Sequence, residues 1–223
     1  INQNNKMLFT IGDFRNSDIA QVDNSFFGKI LEIDLETGNS EIFSKGHRNP
    51  QGLMFDKEFD VILSTEHGPK GGDEINIINK NENYGWPISS YGDPYSGKIT
   101  EKMPYYKSHF DFGFKEPIFT FSNYRDDGIK IIGEKNIAIG ISQLVKINKE
   151  SKFNQFGDYI VSSMKDKSLY FFKFNKSFEK TIEGKKIKIN ERIRDIIYDK
   201  SSDTYMMILE NTPSLAILNL TYK

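Results

Sequence analysis

The chain has 223 residues, 37% of them hydrophobic and 27% charged, and its 30 basic and 31 acidic side chains leave a net charge of −1. That near-neutral balance offers no argument for nucleic acid or an anionic membrane surface as a partner. There is no cysteine, which excludes disulfides, thiolate metal sites and cysteine nucleophiles, no run reaches the ~18 apolar residues of a spanning helix, and no signal peptide is visible at Ile1.

Residues 6–12 (KMLFTIG) read as a strand, and 13–25 as a polar loop. Residues 28–35 place Ile30, Ile33 and Leu35 among Lys29, Glu32 and Asp34, roughly period two. After the turn at 36–39, residues 40–44 return as a third strand. Residues 52–55 and 61–64 form a hairpin whose second strand runs into a glycine-rich loop, and 74–79 (EINIIN) alternates again. Residues 83–116 are rich in Tyr, Gly, Pro, Ser and Lys and read as a long connection, a type that tends to be functional. Residues 117–121 are a strand, and 123–135 a polar excursion. Strands follow at 137–147, 158–163, 168–174, 185–190, 193–198, 204–209 and 215–220. The sum is roughly fourteen strands and no dependable helix, which points to a sandwich, barrel or propeller.

Three short motifs gather the chemistry: GHRNPQGL (46–53), EHGPKGGDE (66–74) and NYGWP (83–87). Their polar residues fall at strand ends, so they can converge on one rim of a sheet. Lys heavily outnumbers Arg, which makes the arginines informative. Arg48 offers parallel donors in a fixed plane, suited to a carboxylate; a local acid is the plain alternative partner. Gly68 and Pro69 leave carbonyl oxygens open, the kind of donor that calcium prefers. Asp73 and Glu74, with Tyr84, form a second candidate site, or simply a solvated acidic pair on a loop. Arg192 and Arg194 are separated by one residue and so share a strand face. They repel unless an anion lies between them, and Glu191, Asp195 and Asp199 are candidates for it. Trp86 is expected to pack beneath its loop.

In this order and spacing the three motifs resemble the soluble glucose/sorbosone and aldose sugar dehydrogenases. That resemblance implies an all-β fold, a six-bladed β-propeller that uses pyrroloquinoline quinone (PQQ) and calcium. About three and a half to four blades are expected here. Residues 1–223 are expected to form a single, partial propeller domain, the C-terminal part of a longer protein whose N-terminal blades are missing, with an insertion at about 83–116; a degenerate short homologue is the alternative. The resemblance carries PQQ-binding roles onto Arg48, Asn49, His67, Lys165, Arg192 and Arg194. Arg48 would stabilise negative charge on the reduced cofactor. The carbonyls of Gly68 and Pro69 would ligate an active-site calcium, and Glu74 with the Tyr84 carbonyl a structural one.

The family's general base is a histidine in an N-terminal motif, and none of His47, His67 and His109 matches it. The family's aromatic segment near the cofactor stands here as 137–143 (IAIGISQ), without an aromatic residue. The leading expectation is a chain that supplies much of the cofactor site of a PQQ- and calcium-dependent aldose dehydrogenase, but not its catalytic histidine. The implied partners are a small sugar, an electron acceptor and the N-terminal remainder of the same protein, in the periplasm or secreted. A non-catalytic, calcium-stabilised propeller binding protein is the second expectation. A structural or adhesive β-domain that binds no PQQ is the third.

Overall fold

A computed structural model describes residues 5–95, 106–122, 138–179 and 181–219. The polar stretch 123–135, the middle of the long connection (96–105) and residue 220 of the last expected strand lie outside them. Fourteen strands are present among the described residues: β1 (Lys6–Ile11), β2 (Lys29–Asp34), β3 (Ser40–Lys45), β4 (Pro50–Asp56), β5 (Val61–Glu66), β6 (Glu74–Ile77), β7 (Phe119–Thr120), β8 (Ile141–Lys146), β9 (Tyr159–Ser163), β10 (Ser168–Phe174), β11 (Thr181–Lys188), β12 (Ile193–Asp199), β13 (Thr204–Leu209) and β14 (Ser214–Leu218). Among the described residues, helix is confined to short 3-10 turns at Ser17–Gln21, Phe110–Phe112 and Lys152–Phe156. None of these is long and apolar enough to cross a membrane.

The strands form four consecutive antiparallel meanders, β1-β2-β3, β4-β5-β6-β7, β8-β9-β10-β11 and β12-β13-β14. This is the blade arrangement of a β-propeller. Most expected strand positions hold, but the strand expected at 117–121 shrinks to the two residues of β7, the one expected at 137–147 begins only at Ile141, with residue 137 outside the described residues, and two more differ at their starts. β4 starts earlier, at Pro50, because a register irregularity between Pro50 and Leu53 absorbs Gln51 and Gly52. β11 begins at Thr181, ahead of the expected 185, and pairs along the whole of β10 through a bulge.

Strand periodicity explains the packing. In the third sheet Tyr159, Val161, Tyr170 and Phe172 face the second sheet, against Leu63, Ile75 and Phe119. The intervening Ile160, Leu169 and Phe171 face the fourth sheet, against Ile193, Ile196 and Tyr205. Alternate side chains leave opposite faces of a strand, so a sheet sandwiched on both faces reads as a continuous apolar run. Ile30, Phe43, Ile78 and Tyr84 join the first sheet to the second. Buried hydroxyls tie neighbouring sheets together: Thr65 on β5 donates to the Ser142 carbonyl on β8, and Ser142 Oγ donates to the Ile193 carbonyl on β12 at 2.7 Å.

The meander order brings one set of strand ends to one rim. The end of β1, the start of β4, the end of β5 and the starts of β6, β8 and β12 all lie there, with the ends of β9 and β13. The motifs sit on these ends.

Candidate cofactor rim

Side chains alternate as the chain enters β4, so His47 turns inward and its neighbour Arg48 does not. His47 is fully buried. Its Nδ1 lies 2.9 Å from Glu66 Oε2 and its Nε2 lies 2.8 Å from Ser44 Oγ, and its ring stacks on Tyr84 at 4.6 Å. Glu66 Oε1 accepts the Arg48 backbone N–H. A buried acid–imidazole pair thus fixes the main chain beneath Arg48. His47 is a support, in keeping with its failure to match the family's base.

The Arg48 guanidinium donates to the His67 carbonyl at 3.1 Å and stands 5.5 Å from the centre of the Trp86 ring, a cation–π distance. The alternative of a local acid partner is not realised: among the described residues no carboxylate pairs with the Arg48 side chain. Trp86 is buried, as expected, and its Nε1 donates to Asp13 Oδ2 at 2.8 Å. Asn49 accepts the His67 N–H on its carbonyl at 3.0 Å and the Gln51 amide on its side-chain oxygen at 3.1 Å.

Asp73 is fully buried and receives Gly68 N–H at 3.2 Å on one oxygen and Gly140 and Ile141 N–H at 2.8 and 3.2 Å on the other. His67 Nδ1 lies 3.7 Å from the first oxygen. Asp73 therefore pins the glycine-rich loop of the second sheet to the leading strand of the third. Glu74 is also buried, with Asn76 donating to it at 2.9 Å. The reading of the two as a solvated pair is corrected: β6 begins at the rim, and strand pairing carries both acids into the protein.

Gly68 and Pro69 differ from their expected equivalence. The Pro69 carbonyl accepts Gly72 N–H at 3.0 Å, closing the turn, whereas among the described residues no donor reaches the Gly68 carbonyl. A side chain at Gly68 would place its Cβ 1.9 Å from the Gly72 oxygen, so the close turn requires glycine. A small cavity of about 10 Å³, room for one water or one ion, is lined by Arg48, Glu66, Gly68, Pro69, Glu74 and Tyr84 among others. Burial pushes the Tyr84 phenol up, so it stays neutral. Its hydroxyl donates to the Ile77 carbonyl at 2.7 Å. His109 also lines this cavity, Nδ1 2.9 Å from Ser89 Oγ and ring edge-on to Tyr91 at 5.3 Å. Sequence reading missed it because nothing around His109 repeats a motif. Among the described residues no three His or acidic side chains cluster as a metal site. A cation here would depend on Glu74 and backbone carbonyls.

Lys165 rides the turn from β9 to β10. Met164 and Lys165 N–H donate to the Gly140 and Ile139 carbonyls at 2.7 and 3.0 Å. Gly140 has φ +65° and would bring a Cβ to 2.8 Å from Lys165 N, so glycine is needed for conformation and contact alike. Among the described residues the Lys165 ammonium has neither an ion-pair nor a hydrogen-bond partner.

Arg192 and Arg194 do share an anion, but not one of the three sequence neighbours. Glu210, after β13, accepts Arg192 Nε at 2.6 Å and Arg194 Nη2 at 2.5 Å. Strand pairing selected it, placing the start of β12 beside the end of β13. Arg192 Nη2 also lies 3.9 Å from Met164 Sδ. Contacts thus run unbroken from Arg48 through His67, Asp73, Gly140 and Met164 to Arg192, across three sheets on one rim.

The glucose/sorbosone dehydrogenase family model matches residues 1–218. Aldose sugar dehydrogenase YliI of Escherichia coli K12 is 31% identical over 185 residues, covering 82% of this chain and 44% of its own. Quinoprotein glucose dehydrogenase B of Acinetobacter calcoaceticus is 40% identical over 81 residues, 31% of this chain and 17% of its own. The apo crystal structure of the soluble aldose sugar dehydrogenase from Escherichia coli superimposes with a TM-score of 0.76 at 24% identity, over 96% of this chain and 60% of that one. The PQQ-bound aldose sugar dehydrogenase from Streptomyces coelicolor gives 0.60 at 20% identity, over 90% and 51%. This chain spans about half the length of the curated relatives it matches at greatest extent, 44% and 52% of theirs. With the match running through nearly every described strand and through all three motifs, the chain belongs to the glucose/sorbosone dehydrogenase family.

Proposed function

We propose that this chain supplies the cofactor-binding rim of a PQQ- and calcium-dependent aldose sugar dehydrogenase. The observation that carries the proposal is the pair Arg48 and Lys165, two cations held on one rim with no carboxylate partner among the described residues. Cations brought together in this way favour an anionic ligand. PQQ fits that donor set, since its carboxylates and quinone oxygens match guanidinium and ammonium donors. When bound, PQQ supplies a two-electron acceptor for oxidation of the sugar's anomeric hydroxyl. Arg48, backed by Trp86 and Glu66, would hold negative charge on the quinone side. Asn49 would add an amide, and His67 would pack beside the ligand. Lys165, Arg192 and Arg194 would take its carboxylates. Calcium would use the open Gly68 carbonyl with that of Pro69, and a second ion Glu74 with the Tyr84 carbonyl.

Of the three histidines, His47 is spent on Glu66 and Ser44, His109 is buried, and His67, its Nδ1 turned toward Asp73, is given to packing beside the ligand. Proton removal from the sugar is therefore assigned to a histidine outside residues 1–223, in the remainder of the same protein. Location in the periplasm or outside the cell belongs to the same proposal. Titration of this chain with PQQ, with calcium and with a chelator, tests it. Saturable binding that tightens with calcium is expected. Absence of PQQ binding under both conditions would favour a propeller that has kept the scaffold without the cofactor.

A further inference from the structure

Arg192, Arg194 and Glu210 form a closed trio at the rim. The acid is anchored by its backbone, because Glu210 N–H donates to the Arg192 carbonyl at 2.9 Å. Its carboxylate takes one N–H from each guanidinium. Each guanidinium has five N–H donors. One more from Arg192 points at Met164 Sδ, which leaves most of the donors of both arginines for another acceptor. The trio carries a net charge of +1, so one carboxylate does not saturate it.

The partners differ in freedom. Arg192 precedes β12 and Arg194 lies within it at a register irregularity, and both are carried on backbone tied to β13. Glu210 lies just after β13, 38% exposed at its side chain, and can swing to water. Its hydrogen bonds with Arg192 and Arg194 hold its pKa below the usual carboxylate range, so it is ionised at neutral pH. A ligand carboxylate arriving at this pair therefore meets an acid already in place.

We propose that Glu210 is an internal stand-in for a ligand carboxylate, keeping Arg192 and Arg194 aligned and giving way by exchange when an anionic ligand binds. This rests on the cofactor reading above for the identity of the ligand, but not for the exchange itself. Glu210 would then set the affinity of the rim: it prevents two bare guanidiniums from repelling, at the cost of competing with the ligand.

The test is equilibrium titration of wild type, Glu210→Gln and Glu210→Ala with PQQ at constant ionic strength, with far-UV circular dichroism to confirm the fold. Citrate, a small tricarboxylate, is the second probe, read by thermal shift. Removing one half-exposed competing charge should tighten PQQ binding by about fivefold in both variants. Equal or weaker binding would overturn the exchange and leave Glu210 a structural clasp. If none of the proteins binds PQQ but citrate stabilises the variants more than wild type, the exchange stands and the cofactor reading falls. If neither ligand distinguishes them, the exchange falls.

Discussion

Two parts of the rim treat positive charge in opposite ways. At the fourth sheet, Arg192 and Arg194 are joined by Glu210. At the seam of the second and third sheets, the acids are as near in sequence but are committed elsewhere: Glu66 to His47 and the Arg48 main chain, Asp73 to the main chain of both sheets. The buried acids hold the scaffold, and Arg48 and Lys165 are left facing outward without a counter-ion among the described residues. The difference separates acids that maintain structure from cations without a counter-ion among the described residues, which the proposal above gives to a ligand.

The sharpest break in that comparison is Asp73→Ala. It strands three buried N–H groups, each costing about 1–3 kcal/mol, so a loss of roughly 3 kcal/mol or more in urea unfolding is expected. Removing Arg194, a half-exposed member of an ion pair, should cost about 1 kcal/mol or less. If the two cost the same, the division between scaffold and ligand charge is wrong.

Calcium gives the next effect. If Glu74 and the neighbouring carbonyls hold an ion, saturating calcium should raise the melting temperature by roughly 5 °C, since a ligand at about a hundred times its Kd contributes ~2.7 kcal/mol. Glu74→Gln should remove most of that rise. An unchanged melting temperature in wild type would refute the metal assignment.

A smaller effect comes from a third way of handling charge. Lys29 is fully buried and donates only to carbonyls, of Ile19, Ala20 and Phe27 at 3.0, 2.9 and 2.9 Å. Burial, then repulsion from Lys45, lowers its pKa from 10.5 to about 8. Below pH 8 both folded and unfolded chains carry the proton, and the burial penalty is felt in full. Between pH 8 and 10.5 the folded chain sheds the proton first, so stability rises with pH. Relative to Lys29→Met, wild type should gain about 1 kcal/mol between pH 7 and pH 9, measured by urea unfolding. A difference that stays constant with pH would exclude a buried, titrating Lys29.

Most of the fold was legible from the sequence, because period two and turn residues mark short strands, and the motifs fall at their ends. Arg48 and Lys165 were legible through their motifs. The partner of Arg192 and Arg194 was not. Glu210 lies sixteen residues or more away, and only the pairing of β12 with β13 brings it across. The burial of Asp73 and Glu74 was hidden for a related reason: an acidic pair beside glycines looks solvated until sheet pairing carries it inward. The unequal Gly68 and Pro69 carbonyls depend on a turn closed by Gly72, which composition does not specify. Lys186 and Lys188, basic and outside the motifs, look like neutral controls in sequence. In the fold they pair with Asp166, beside Lys165, at 2.8 and 3.6 Å. Lys57 and Lys200, exposed and on turns at the opposite sheet ends, are the better controls.

The central claim is that unpaired charge at the seam binds the cofactor. Its most direct measurement is the PQQ dissociation constant of wild type, the Arg48→Ala/Lys165→Ala double variant and the Lys57→Ala/Lys200→Ala control, at one ionic strength with calcium present. Charge-assisted bonds contribute about 1.5–3 kcal/mol each. The seam variant should therefore weaken binding by about two orders of magnitude or more, with the control unchanged. Equal affinities for the seam and control variants would contradict the claim.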